Sequence, residues 1–289
     1  MTEAPRLLAL VRRREFWTQL APDLGIGEEA VLRDAIPWSA SALDPTTLRA
    51  QLDDQGYVHL PKVMEPELCG RLATAVAQLA ALGIPPVFCM VYDLFWTPPF
   101  RLVRIVEEAL GAPPRLLPAF WIWHVDPAKS ERGWAPHRDV GHAALFADRR
   151  PKALTAWFAF SEANELNGCM HVVPADRDRY YGRPAGDGKT TDFAPSDVRA
   201  LPAAAGDVFL WTQALLHWGG QSSPLAAGPR ISLSIEFMHA DEEPYARPPV
   251  EPAGIARLED RLHLIARQIL RYRHMYGLPP QLEALARAL

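Results

Sequence analysis

Arg230-Ile231-Ser232-Leu233-Ser234-Ile235-Glu236-Phe237 alternates polar and apolar side chains without a break. Successive side chains of a β-strand point to opposite faces, so Ile231, Leu233, Ile235 and Phe237 share one face and Arg230, Ser232, Ser234 and Glu236 the other. The default reading is a strand of an antiparallel sheet with one wet face. The alternative is a barrel whose polar face points inward and receives an anion. Upstream, short β-type runs recur at 120–125, 153–160, 170–173 and 207–211, separated by Pro, Gly, Asp and Asn. Strands without intervening helices predict an antiparallel sandwich or barrel.

The flanks read as helical. Residues 6–19 carry apolar positions at helical spacing, and Asp44-Pro45-Thr46-Thr47 offers a cap for a short helix that Gly56 ends. Tyr57-Val58-His59-Leu60 then opens the main domain as a strand, followed by an Ala- and Leu-rich amphipathic helix over 65–82 closed by Gly83. The segment 176–200, with Tyr180, Tyr181 and glycines at 182, 186 and 188, is too polar for core and reads as a long loop of the kind that forms lids. Leu258, Leu262, Ile265, Ile269, Tyr272 and Tyr276 form one apolar stripe on a C-terminal helix. That stripe must be covered, either by the chain's own barrel or by a second copy in a homodimer. The expected organisation is a single domain: a helical segment over 1–54, a β core over 55–245 that includes the lid loop, and a helical extension over 246–289.

Composition narrows the function classes. A chain of 289 residues, 49% hydrophobic and 22% charged, can bury a full core. Thirty Lys plus Arg against 34 Asp plus Glu give a net charge of −4 with no long basic run, so no nucleic-acid partner is expected. Cys69, Cys89 and Cys169 are odd in number and widely spaced, which fits neither a disulfide framework nor a zinc knuckle and suits a reducing cytoplasm. The apolar piece from Leu7 to Val11 precedes Arg12, Arg13 and Arg14, the reverse of a signal peptide, and is too short for a bilayer; no membrane partner is expected. The 28 prolines favour short strands and loops.

The chemistry concentrates at Pro136-His137-Arg138-Asp139 and at His217. On a strand His137 and Asp139 would share a face, and a third ligand could come from a distant strand. Two histidines and one carboxylate on one side of an ion, with open positions opposite, suit non-haem Fe(II) and dioxygen. Taken alone, His137-Arg138-Asp139 is most simply a solvated turn, and His217, between Leu216 and Trp218, a satisfied core histidine. The His-Arg-Asp of a protein kinase would need Asn five residues after the Asp, where Ala144 stands. His137, Asp139 and His142 could form a compact zinc cluster, but that cluster leaves Arg230 without a purpose. Fe(II) with two imidazoles and one carboxylate retains a positive charge, which suits a chelating dianion such as 2-oxoglutarate. Its distal carboxylate would be buried, where a planar guanidinium with a neighbouring hydroxyl is the residue pair required; Arg230 and Ser232 share the needed face.

Gln55-Gly56-Tyr57-Val58, Pro136-His137-Arg138-Asp139, Asn167-Gly168-Cys169-Met170-His171-Val172-Val173-Pro174, Gly206-Asp207-Val208, His217 and Arg230 thirteen positions later occur in an order that resembles the phytanoyl-coenzyme A dioxygenase-like (PhyH-like) family of Fe(II)- and 2-oxoglutarate-dependent oxygenases. The resemblance implies a mainly β fold with flanking helices (α+β), a double-stranded β-helix of the jelly-roll, cupin-like kind. It places His137, Asp139 and His217 on the metal and Arg230 on the cosubstrate, and sets Thr155 where relatives often carry a hydroxyl touching the same group. Trp157 shares the face of Thr155 and joins Trp123, His124 and Tyr92 as candidate substrate contacts, with Trp121, Trp96, Tyr180 and Tyr181 as weaker ones. Related halogenases have Gly or Ala in place of the carboxylate, so Asp139 favours hydroxylation of a small-molecule metabolite, or a related oxidation such as desaturation or ring formation, with dioxygen as second cosubstrate and release of succinate and CO2. Ala175-Asp176-Arg177 and Trp218-Gly219-Gly220-Gln221 depart from the family pattern near the expected pocket mouth, which leaves the substrate open. Two readings compete: a non-redox cupin-like isomerase or hydrolase using its metal as a Lewis acid, and a non-catalytic binding protein on the same barrel.

Overall fold

Helix α1 (Glu3–Val11) stops where Arg13 turns extended, and α2 (Arg14–Leu20) starts anew, so the single helical run expected over 6–19 is two helices. The Trp17 indole, fully buried, donates to the Val11 carbonyl at 2.7 Å and satisfies an acceptor freed by that break. Next comes α3 (Pro45–Gln55), capped by Asp44, whose carboxylate accepts from the Thr47 amide, and ended by Gly56 at φ +76°. Gly56 hands the chain directly to strand β1 (Tyr57–Leu60). Then come α4 (Pro66–Ala81), α5 (Thr97–Arg101), α6 (Val103–Leu110), β2 (Pro114–Val125), β3 (Ala153–Ala159), β4 (Met170–Val173), β5 (Arg199–Leu201), β6 (Val208–Thr212), β7 (Leu216–Gly219), β8 (Arg230–His239), α7 (Leu258–Arg271) and α8 (Pro280–Ala288). This computed structural model describes residues 3–27, 44–140, 143–183, 191–250 and 257–289; His142 and the glycines at 186 and 188 lie outside the described residues.

The strands form two antiparallel sheets that face each other as a double-stranded β-helix. The larger has the order β1-β6-β3-β8-β2 and the smaller β5-β4-β7. On β8 the apolar residues Ile231, Leu233, Ile235 and Phe237 pack outward under α4, α7 and the 3-10 turn at Pro86–Val91. The polar residues of β8 point between the sheets. The strand is therefore buried on both faces, with Arg230 at 1% and Glu236 at 8% exposure, and the wet-face reading gives way to the barrel reading. Trp157, Phe209, Trp211, Met170, Val172 and Leu215 fill the space between the sheets beside those polar groups.

Two strands lie where none was expected. β5 occupies the end of the 176–200 segment and pairs with β4, and β7 carries His217 along the other edge of β4. Both are short, and their exposed or mixed residues leave no period-2 signal. The C-terminal stripe is shorter than its spacing suggests, because α7 ends at Arg271 and Tyr272 starts a 3-10 turn. Leu262, Ile265 and Ile269 are buried against the chain's own core, so the stripe is covered within the chain. No helix among the described residues is long and apolar enough to cross a membrane.

Candidate metal and cosubstrate site

His137 sits on an isolated antiparallel bridge rather than in the strand expected for it. Its N–H donates to the His217 carbonyl and its carbonyl accepts from the His217 N–H, both at 3.0 Å. That bridge sets His137 beside the edge strand β7 and fixes the two imidazoles 4.3 Å apart between ring centroids. Asp139, two residues on, returns to the same point. One ligand atom from each of His137, Asp139 and His217 lies within 4.8 Å of the others, a group that could hold a metal ion.

Each of the three is oriented by a second contact. Nδ1 of His137 lies 2.8 Å from the Ala135 carbonyl and Nδ1 of His217 lies 3.1 Å from the Leu215 carbonyl. A carbonyl only accepts, so both Nδ1 atoms carry the proton and both Nε2 lone pairs face the cluster. Oδ2 of Asp139 accepts from the Thr155 hydroxyl at 2.6 Å and from the Trp211 indole at 3.1 Å. This leaves Oδ1 toward the imidazoles, 3.8 Å from Nε2 of His137 and 3.5 Å from Nε2 of His217. Burial pushes the Asp139 carboxyl up, but His217, His137 and the two hydrogen bonds outweigh it and hold it below the usual carboxylate value. Thr155, expected on the cosubstrate, directs its hydroxyl proton to Asp139 instead.

Arg138 is buried rather than solvated. Its guanidinium forks onto Asp178, at 2.6 and 3.0 Å, and also donates to the Ala214 carbonyl. Tyr181 adds a contact to the Thr212 hydroxyl at 2.7 Å. The first part of the 176–200 segment is thus fastened beside the cluster by a buried, charge-assisted pair.

Arg230 is the strongest electrostatic feature. It is fully desolvated, and among the described residues no carboxylate pairs with it. Nη1 donates to the Ser232 hydroxyl at 2.9 Å, while Nε and Nη2 are buried with no partner among the described residues. The guanidinium lies 5.9 Å from the ring centroids of both Trp123 and Trp157. Burial brings its pKa down to about 10, which still leaves it charged at neutral pH. A buried cation with unmade hydrogen bonds costs several kcal/mol unless an anion completes it, so the Arg230 donors suit a carboxylate. Nε1 of Trp157 is a further buried donor without a partner. Room for the Arg230 side chain depends on Gly219, where a Cβ would lie 3.0 Å from Nη2 and 2.7 Å from the Gly133 backbone.

A cavity of about 140 Å³ joins the cluster to Arg230. Trp123, Thr155 and Trp157 line it, as strand parity requires. His124 and Tyr92 do not. His124 follows Trp123 on β2 and therefore projects from the opposite face. Tyr92 is buried among the helices with its hydroxyl on the Trp17 carbonyl at 2.9 Å. Trp96 is also core, its indole bound to the Met90 carbonyl. Tyr180, Tyr181 and Trp121 are not among the cavity-lining residues. Wall residues that the sequence did not single out are Trp134, Trp211, Arg271 and His274. Trp211 stands directly opposite Thr155 in the β3–β6 register, a signal that exists only once the register is known.

The donor set fits a divalent metal of the Fe(II) type with open positions, and the unpaired guanidinium fits the far end of a dicarboxylate. A double-stranded β-helix with these two features side by side defines a non-haem metal enzyme that works with an oxo-acid cosubstrate. The family comparison agrees: a model described as phytanoyl-CoA dioxygenase (PhyH) matches residues 90–225. Over that stretch the chain is similar to the PhyH-like Fe(II)/2-oxoglutarate-dependent enzymes.

Among solved structures, the epimerase SnoN in complex with Fe3+, alpha ketoglutarate and nogalamycin RO is 25% identical, with a TM-score of 0.53 over 75% of this chain and 91% of that one. The non-heme alpha ketoglutarate dependent carbocyclase SnoK from nogalamycin biosynthesis is 22% identical, with a TM-score of 0.54 over 71% and 87%. AviO1 from Streptomyces viridochromogenes Tue57 is 17% identical, with a TM-score of 0.54 over 72% and 99%. The last two likenesses bear on the fold alone. Comparison with curated proteins gave no match.

Proposed function

We propose that the chain hydroxylates an unactivated C–H bond of a small molecule, with His137, Asp139 and His217 holding Fe(II) and Arg230 with Ser232 holding 2-oxoglutarate. The observation that carries this reading is the pairing, in one cavity, of a two-histidine, one-carboxylate cluster with a buried guanidinium whose Nε and Nη2 have no acceptor among the described residues. When bound, Fe(II) with 2-oxoglutarate supplies dioxygen-activating chemistry that releases succinate and CO2. The protein supplies placement. Ala135 and Leu215 fix the imidazole tautomers, Thr155 and Trp211 turn Oδ1 of Asp139 toward the imidazoles, and Ser232 aims the guanidinium. Trp123, Trp157 and Trp211 exclude water around these groups, which strengthens every charge interaction among them. Asp139 retains the carboxylate that would serve as the third protein ligand to the metal, which supports hydroxylation over halogenation.

The test begins with anaerobic binding of Fe(II) and 2-oxoglutarate, followed by aerobic screening of metabolites for stimulated succinate release. Product mass then distinguishes outcomes. Gain of one oxygen atom is expected; a product isomeric with its substrate, the outcome suggested by the epimerase likeness, would replace hydroxylation by stereochemical inversion. Failure of Fe(II) and 2-oxoglutarate to bind together would leave the non-redox or non-catalytic readings.

A further inference from the structure

The outer half of the cavity is built by a different part of the chain from the inner half. Arg271, Tyr272, His274 and Met275, from the end of α7 and the turn beyond it, close over the triad side of the cavity. Tyr272 lies 4.7 Å from Trp134 between ring centroids, and Trp134 lies 5.7 Å from the His137 ring. A half-buried aromatic floor therefore runs from the rim to the triad.

A carboxyl group and a guanidinium face that floor. Oε2 of Glu236 accepts from the Gln213 amide at 2.8 Å and from the Tyr245 hydroxyl. Oε1 has only the Tyr272 hydroxyl at 3.4 Å, long for an O–H···O bond, and so keeps acceptor capacity on the cavity side. Arg271 stacks its guanidinium over Tyr245 and Tyr272 at 5.0 and 5.6 Å. No carboxylate lies within 4 Å of it among the described residues, so its donors are available beside the Glu236 acceptor.

This arrangement discriminates among ligand types. A cationic amine drawn to Glu236 would also meet Arg271. An anion drawn to Arg271 would meet Glu236 and Asp139. A hydrocarbon would desolvate Glu236 and Arg271 without replacing their hydrogen bonds. A ring with neighbouring hydroxyls meets all three demands, because its hydroxyls both donate to Glu236 and accept from Arg271 while its C–H face lies on Trp134 and Tyr272. Resting on the oxygenase reading above, we infer that the substrate is a polyhydroxylated ring, a pyranose or similar cyclic polyol unit, recognised by Glu236, Arg271, Trp134 and Tyr272.

The test uses the full chain loaded with Zn(II), a redox-silent stand-in for iron, and 2-oxoglutarate. Saturation-transfer NMR is recorded with methyl gluco-, galacto-, manno- and rhamnopyranosides, and with 2-methoxytetrahydropyran as the same ring without hydroxyls. At least one pyranoside is expected to receive saturation on its C–H face and to bind at least about 100-fold more tightly than the bare ring, since a site built to hydrogen-bond a hydroxyl rejects the analogue lacking it. Trp134→Ala and, separately, Arg271→Met should each weaken that pyranoside by about 10-fold or more, with the 2-oxoglutarate signals unchanged; Trp134→Phe should retain it. Equal binding of the bare ring, or no pyranoside signal while 2-oxoglutarate binds, overturns the inference. Pyranoside signals without 2-oxoglutarate binding would break the oxygenase reading and leave the polyol subsite standing, and loss of both would end both.

Discussion

The inner and outer halves of the cavity are held in opposite ways. Inside, His137, Asp139, His217 and Arg230 are each fixed by a hydrogen bond within the chain, and the donors left over on Arg230 suit an anion. At the rim, Arg271 and His274 are exposed and come from the end of α7 and the turn after it. The difference teaches that the cosubstrate end tolerates no alternative geometry, whereas the selecting end hangs on a segment that can vary without disturbing the sheets. A fold that hosts many chemistries is expected to divide its labour in this way.

The comparison breaks first at Asp139. Asp139→Ala should abolish substrate-stimulated succinate formation, by more than the roughly 10- to 100-fold that loss of an outer partner costs a metal site, while the protein stays folded. Full activity in that variant would remove Asp139 from the ligand set and with it the reading of the inner half as rigid machinery. Arg230→Met comes next and carries a sharper signature. Loss of one side of a buried charge pair costs about 2–5 kcal/mol, on the order of 100-fold or more in the KM for 2-oxoglutarate. The same change removes a desolvated, unpaired cation, so the ligand-free variant should melt at or above the parent's Tm. A fall in Tm together with an unchanged KM would mean that Arg230 is structural.

How much of this was legible before the fold was known follows the same division. The alternation over 230–237 placed Arg230, Ser232 and Glu236 on one face, and the structure keeps that face together. The cap at Asp44, the left-handed stop at Gly56 and strand β1 were readable because local chemistry alone decides them. His137 and His217 were readable as residue types in order, but the backbone bridge that joins them depends on β7, four residues with no period of their own. His124 was misplaced because strand parity excludes it only once Trp123 is known to face inward. Tyr92 was misplaced because a buried tyrosine whose hydroxyl finds a backbone carbonyl looks, in sequence, like one in a pocket. Trp134 and His274 were invisible: each reaches the cavity through tertiary packing from irregular chain, for which sequence carries no periodic trace.

Trp211 tests how far the rigidity of the inner half reaches. Its indole is one of two donors holding Oδ2 of Asp139. Trp211→Phe keeps the ring and removes the donor, so metal affinity should fall by about 10-fold with little change in stability. Isothermal titration with Zn(II) measures it. Thr155→Val removes the other donor and should act similarly, and the two changes together should cost more than their sum, since either donor alone can hold the oxygen in place. Additive losses would mean that the two contacts act independently.

Glu236 stands where the two halves meet, and its effect is read through pH. Burial, and then the nearby charge of Asp139, push its carboxyl up to about 8. Between the ordinary carboxylate value of 4.5 and about 8 the folded, metal-free protein therefore holds a proton that the unfolded chain has released. Stability contributed by this group is complete below 4.5, declines as pH rises, by at most about 1.4 kcal/mol per pH unit, and is flat above 8. Glu236→Gln cannot lose that proton, so its Tm advantage over the parent should grow from pH 5 to pH 8 and then level off. Zn(II) should shrink the advantage, because a cation at the triad offsets the Asp139 charge that helps to raise Glu236. An advantage independent of both pH and metal would mean that Glu236 does not feel the triad, and the outer half would then be electrically separate from the inner one.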